Sequence, residues 1–329
     1  MPLIKQSLDK LCRVVTVTLL IWVLASMTDS TAQDYPSRPI KIIVPNPPGG
    51  SSDIVGRMLS NYLSTVMNQA VVVENRPGAN TAIAVSTVVH SAADGYTLLL
   101  GTPSLTTFNI YQKHPGFDVE KDLAPISQIM VSPYVIAVSD QLQVNSIRQL
   151  IDAAKKNPGG LNYAAYGGGQ VLTTELFKKM TGIEVIRVPY QGEAAAIIGL
   201  ANNEIQVVLA TAVTVRPMVE AGRVKAVAVS TATRLPSMPD LPTIAESGGP
   251  NFDAGLWFGL LAPADTPLAI RQKLAKKVAA FTNEPEVVDR FMSLGFTPKS
   301  STPDEFGQLI SAETQRWIEV AQFASIVPQ

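Results

Sequence analysis

The residues best suited to chemistry lie in the stretch VPNPPGGSSD, residues 44–53, directly after the hydrophobic run IKIIV. Its glycines let the backbone approach a ligand and take positive φ, and Ser51, Ser52 or Asp53 can cap a following helix. Free N–H groups at a helix start, with the helix dipole behind them, favour an anion. A phosphate cradle would need GxxxxGK[ST], a dinucleotide site GxGxxG and a hydrolase elbow GxSxG, and the stretch has none of them. Carboxylate binding survives this pruning, beside the simpler reading of a strand-to-helix turn in which Ser and Asp only cap.

Three further glycine- and hydroxyl-rich turns follow strand-like runs: RPGANTA at 76–82, GTPSLTT at 101–107 and YGGGQ at 166–170. In an open α/β sheet ligands sit beyond the carboxyl ends of the strands, so four such turns on one edge would define a shared cleft. Each taken alone is also an ordinary surface turn. Tyr166 and Tyr190 close strands and so face that edge. Trp257 stands on a late strand where its ring could meet a ligand or the core, and Trp317 reads as packing.

The titratable residues argue against catalysis. His90 ends an apolar helix, His114 precedes Pro115, and neither stands in a motif with a nucleophile. There is no HExxH, carboxylate pair or Cys/His ligand spacing, so an enzyme, a metal and a cofactor are not expected. The only cysteine, Cys12, precedes an apolar run from Val14 to Met27. With Lys5, Lys10 and Arg13 before that run and Ser30-Thr31-Ala32 after it, residues 1–32 read as a signal peptide cleaved after Ala32. Removing three cations and two acids (Asp9, Asp29) from totals of 26 and 27 leaves 23 basic and 25 acidic residues. No basic patch for nucleic acid is implied, and the mature chain reads as exported and free of a membrane helix.

The elements that must position these turns alternate. IKIIV, VVVEN and YTLLL are separated by helical spacing in IVGRMLSNYL and AIAVSTVVHSA. Two apolar runs, PISQIMV and YVIAVS, come next. The alternation then resumes from SIRQLIDAAKKN to VKAVAVS. This is an α/β pattern with largely parallel, doubly covered strands. After LPSMPDLPTIAESGGPNF come one strand, LWFGLLAP, and helices from Thr266, Pro285 and Thr302. A helix-rich block with one strand packs best back onto the first sheet. The expected domains are therefore 33–132 plus 256–329, and 133–255, with crossings near 131–135 and 250–258.

The motifs YPSRPIKIIVPNPPGGSSD, VVVENRPGA, ADGYTLLLGT, KDLAPISQI, LNYAAYGGG, VIRVPYQG, EAGRVKAVAVST, MPDLPTIAESG and FGLLAPADTP together cover nearly the whole mature chain. In these the chain resembles the Bug receptors, the extracytoplasmic solute-binding proteins of tripartite tricarboxylate transporters. The resemblance implies a two-domain, periplasmic-binding-protein-like α/β fold hinged by crossing strands, with the ligand in the interdomain cleft. It further implies a monomeric periplasmic receptor that holds a small carboxylate, often a dicarboxylate, by loop amides, hydroxyls and waters without an arginine clamp. The implied partners are membrane transporter subunits or, alternatively, a sensor kinase. Carried over residue by residue, the first domain contributes Asn46, Pro48, Gly49, Gly50, Ser51, Ser52, Asp53, Asn80, Thr81, Thr102, Pro103, Ser104, Leu105 and Thr106. The second contributes Tyr166, Gly167, Gly168, Gly169, Gln170, Tyr190, Gln191, Ala210 and Thr211.

Three departures bear on the ligand. Relatives carry an aromatic residue at Asn46 and Gly-Thr at Ser51-Ser52. The YGGGQ turn looks short and lacks the histidine that often follows it. An Asp-Asn pair is replaced by Ala210-Thr211, and losing an acid there disfavours an amino-acid ammonium. The expected ligand is a di- or tricarboxylate, with an aromatic acid admitted by Tyr166, Tyr190 and Trp257.

Overall fold

In a computed structural model, the structure describes residues 35–111, 116–166 and 168–326, with only the backbone of Asn80. The leader 1–32, His114 and Gly167 therefore lie outside the described residues.

The first parallel strands form where β-branched runs are buried on both faces. In β1 (Ile40–Val44) every residue but Lys41 is buried. Helix α1 (Ser51–Met67) leads to β2 (Val71–Asn75), α2 (Ala82–Val89) to β3 (Thr97–Gly101), and α3 (Ser104–Tyr111) follows. β1 lies between β2 and β3, parallel to both. The turns 46–50, 76–81 and 102–103 consequently leave one edge together.

A short α4 (Val119–Asp122), capped by the Asp118 side chain, precedes β4 (Leu123–Ser139). The two apolar runs expected here are one continuous 17-residue strand. Pro133, between the two runs, sits where β4 changes neighbours. Up to Pro133, β4 pairs with β9 (Gly255–Pro263); from Tyr134 it pairs with β7 (Val207–Thr211) and β8 (Val224–Val229). Proline lacks the ladder donor, so it is tolerated at such a junction.

The second half of the chain repeats the alternation with α5 (Ile147–Lys156), β5 (Asn162–Ala165), α6 (Gly168–Thr181), β6 (Ile186–Pro189) and α7 (Glu193–Ala201), then β7, α8 (Ala212–Glu220) and β8. β5 is parallel to β6 and β7, so residues 166, 190–192 and 211 also leave one edge. The chain returns through Ala254, whose N–H donates to Ser230, and β9 inserts between β3 and β4. Helices α9 (Leu268–Phe281) and α10 (Pro285–Ser293), the two-residue β10 (Thr297–Pro298) on β4, and α11 (Pro303–Phe323) complete the fold.

Two cores result. One gathers Ile43, Leu99, Leu105, Phe108, Trp257 and Phe306; the other gathers Val135, Ala164, Ile197, Val208, Val215 and Val229. Helix α11 reaches the first because Gly259 has no side chain: a Cβ there would lie 2.2 Å from the Phe306 ring. Its start is fixed by a capping box in which Thr302 and Glu305 satisfy each other's backbone donors.

Candidate functional site

The two edges of exposed turns face each other. Tyr111, closing α3, donates its hydroxyl to the Gly168 carbonyl at 3.2 Å, and a Cβ on Gly169 would lie 3.6 Å from that of Pro103. These contacts bring the turn at 102–103 and the end of α3 against the turn at 168–169, and turns 46–53 and 78–81 leave the same sheet edge as the first of them. Burial pushes the Tyr111 phenol up to about 12, so it stays a neutral donor.

The turn at 46–53 is built around Asp53. Its Oδ2 accepts from Gly49 N–H and from Arg57 Nε, both at 2.9 Å, and its Oδ1 from Asn75 Nδ2 at 2.9 Å. The Arg57 guanidinium, then the Gly49 and Asn75 bonds, hold this buried carboxyl down at about 2. Asp53 is thus spent on shaping the turn. Asn46 closes it from the other side, accepting from Ser52 Oγ through its side chain (2.9 Å) and from Asn75 through its carbonyl.

Gly49 takes the left-handed region at φ 85°, which a residue with a side chain rarely adopts. Helix α1 has no side-chain N-cap, and the N–H groups of Gly50, Ser51 and Ser52 donate to no acceptor among the described residues. Pro48, Gly49, Gly50 and Ser51 are exposed. An anion would meet three backbone donors, one free hydroxyl on Ser51 and the positive end of a 17-residue helix.

The neighbouring turn is strained. Gly78, Ala79 and Thr81 all have positive φ (123°, 45° and 77°), a conformation that costs a β-branched residue. Thr81 is 7% exposed, and its Oγ1 has no hydrogen-bond partner among the described residues. Of the third turn, Thr102, Leu105 and Thr106 are buried, Leu105 in the core and Thr106 against Pro103 and Glu313; Pro103 and Ser104 are half-buried at the rim.

On the opposite side Tyr166 is anchored, its hydroxyl donating to the Leu209 carbonyl at 2.5 Å. Gln170 donates to Ala164 while its Oε1, buried, lacks a partner among the described residues. Buried polar atoms are ordinarily satisfied. Thr81 Oγ1 and Gln170 Oε1, one from each side, are exceptions, as are Ser237 Oγ, Thr266 Oγ1, Arg316 Nε and Trp317 Nε1 elsewhere among the described residues. Ala210 is buried in β7, and Thr211 stands at the start of α8.

Three expected residues do not join this group. The Tyr190 hydroxyl turns back along α7, packing over Gly199 and reaching Glu204 at 3.3 Å. Gln191 is exposed. Trp257 lies in the first core, its ring against Phe306 (centroids 5.2 Å apart) and its indole N–H on Glu313 at 2.8 Å. Strand ends point at the cleft, yet a side chain there can fold either way.

Two residues beside Thr211 escaped the sequence reading. Glu193, the first residue of α7, accepts through Oε1 from Thr211 N–H, from Thr211 Oγ1 at 2.8 Å and from Thr214 Oγ1. Tyr134 lies at the β4 junction, and burial, then Glu193 and Glu313, raise its phenol. Their signals were weak: an acid just after VPYQG, and an aromatic residue at the crossing.

The chain matches the tripartite tricarboxylate transporter family receptor over residues 55–325. It is 35% identical over 297 residues to Protein BugT of Bordetella pertussis, covering 89% of this chain and 91% of that one. The solved structure of R. palustris Rpa4515 with adipate is similar at TM-score 0.79 and 35% identity, covering 90% of this chain and all of the other. MatC from Rhodopseudomonas palustris with bound malate is similar at TM-score 0.73 and 27% identity, covering 87% and 99%.

Proposed function

Because the chain belongs to the tripartite tricarboxylate transporter receptor family, we propose that it captures a small carboxylated organic acid in the periplasm and passes it to the membrane subunits of such a transporter. The observation that carries this reading is the set of three N–H groups at Gly50, Ser51 and Ser52 that donate to no acceptor among the described residues, at the start of a 17-residue helix. One ligand carboxylate would dock on that α1 start, with waters bridging to Thr81 and Gln170. In this reading the domains are 33–132 plus 256–329, and 133–255, and they hinge on β4 at Pro133 and on the return at Ala254. Binding shifts the hinge toward closure, and the closed form engages the transporter. No catalytic step is assigned.

A thermal-shift screen of mono-, di- and tricarboxylates tests the ligand class. At a hundredfold excess over Kd a true ligand stabilises by about 2.7 kcal/mol; a flat response across the screen would remove carboxylates as the ligand.

A further inference from the structure

The second lobe carries a carboxylate of its own at the cleft. Through Oε1, Glu193 takes the donors at the start of α8: the Thr211 N–H and the hydroxyls of Thr211 and Thr214. A helix start attracts an anion, and here the protein supplies it. The other oxygen, Oε2, has no protein partner among the described residues and is not among the sealed, unpaired atoms, so it faces accessible space. Tyr166, beside the turn that touches Pro103 and Tyr111, and Tyr134 at the junction both have phenols raised by burial and further by the Glu193 charge. The geometry agrees: Glu193 bonds Thr211, which stands opposite Tyr134 in the β4–β7 register and two residues after Leu209, whose carbonyl holds the Tyr166 hydroxyl.

A second ligand carboxylate reaching this side would find its helix start taken and a like charge in front of it. An ammonium or hydroxyl would find an acceptor. We infer that Glu193 is a specificity-determining residue: the end of the ligand on the second lobe presents a hydrogen-bond donor, and the receptor selects an amino or hydroxy acid over the plain diacid of equal length. The inference rests on the reading above that an organic acid binds between the lobes. It reverses the expectation drawn from Ala210-Thr211, because the acid absent there arrives from position 193 and bonds to Thr211 itself.

The test is calorimetric titration of the wild type and Glu193→Gln with matched acids: succinate, malate, aspartate and 4-aminobutanoate, then adipate, 6-hydroxyhexanoate and 6-aminohexanoate. In the wild type a donor-bearing acid binds more tightly than its plain diacid. In Glu193→Gln that preference falls by roughly tenfold or more, the size of one charge-assisted hydrogen bond. Equal or tighter binding of the plain diacid by the wild type overturns the inference even if the variant fails to fold. So does a preference that survives the substitution. If acids bind without regard to Glu193, the inference alone fails; if none binds, the carboxylate reading fails with it.

Discussion

Tyr111 and Gly168 join the two sides of the cleft: the phenol donates to the glycine carbonyl at 3.2 Å, and a Cβ on Gly168 would stand 2.7 Å from the Tyr111 ring. The contact needs both the hydroxyl and the missing side chain. Tyr111→Phe should weaken acid binding modestly, by about 0.5–1.5 kcal/mol for one neutral bond. Gly168→Ala should weaken it more, since a rigid ring must move. Titration of both variants with the tightest acid checks the order.

Asp53 makes the first turn sensitive to acid. Its folded value near 2 lies below the ordinary 3.8, so the folded state binds its proton less readily than the unfolded chain. The stability this contributes is complete above about pH 4 and is lost as pH falls toward 2. Asp53→Asn should cost about 1–3 kcal/mol at pH 7 and little near pH 2. Melting temperatures of both proteins across that window check it.

Thr81 separates binding from stability. Replacing it with Val keeps shape and backbone conformation but removes a buried hydroxyl that no described residue satisfies. The free protein should be as stable as the wild type or more so. Acid affinity should fall, by about tenfold if the hydroxyl or its bridging water contacts the ligand. A loss of stability without loss of affinity would mark Thr81 as structural.

Glu313 runs opposite to Asp53. Burial raises its carboxyl above the ordinary value, against the pull of Trp257 and Arg316. The folded state then holds this proton longer than the unfolded chain, so stability is lost as pH rises through the folded value. Glu313→Gln should accordingly compare better with the wild type at pH 7 than at pH 4. Trp257→Phe should destabilise by about 1–3 kcal/mol by removing the indole donor, with acid affinity unchanged.

The α/β class, the family and the positions of the turns were legible because glycine, proline and hydroxyl residues mark strand ends directly. What was not legible depends on side-chain direction or on pairing across distance. Tyr190 ends a strand as read, but the small Gly199 lets its ring lie along α7. PISQIMV and YVIAVS read as two runs, yet β4 continues through Ser132-Pro133, where its neighbours change. Glu193 reaches Thr211 only once β6 and β7 share a sheet, which no local pattern encodes.

The most direct test is a crystal structure with the tightest acid of the screen. It should place one carboxylate within hydrogen-bond distance of the Gly50, Ser51 and Ser52 N–H groups, with the Gly168–Gln170 turn closed over it. An acid bound elsewhere, or held at the cleft by an arginine or lysine instead of those amides, would contradict the account.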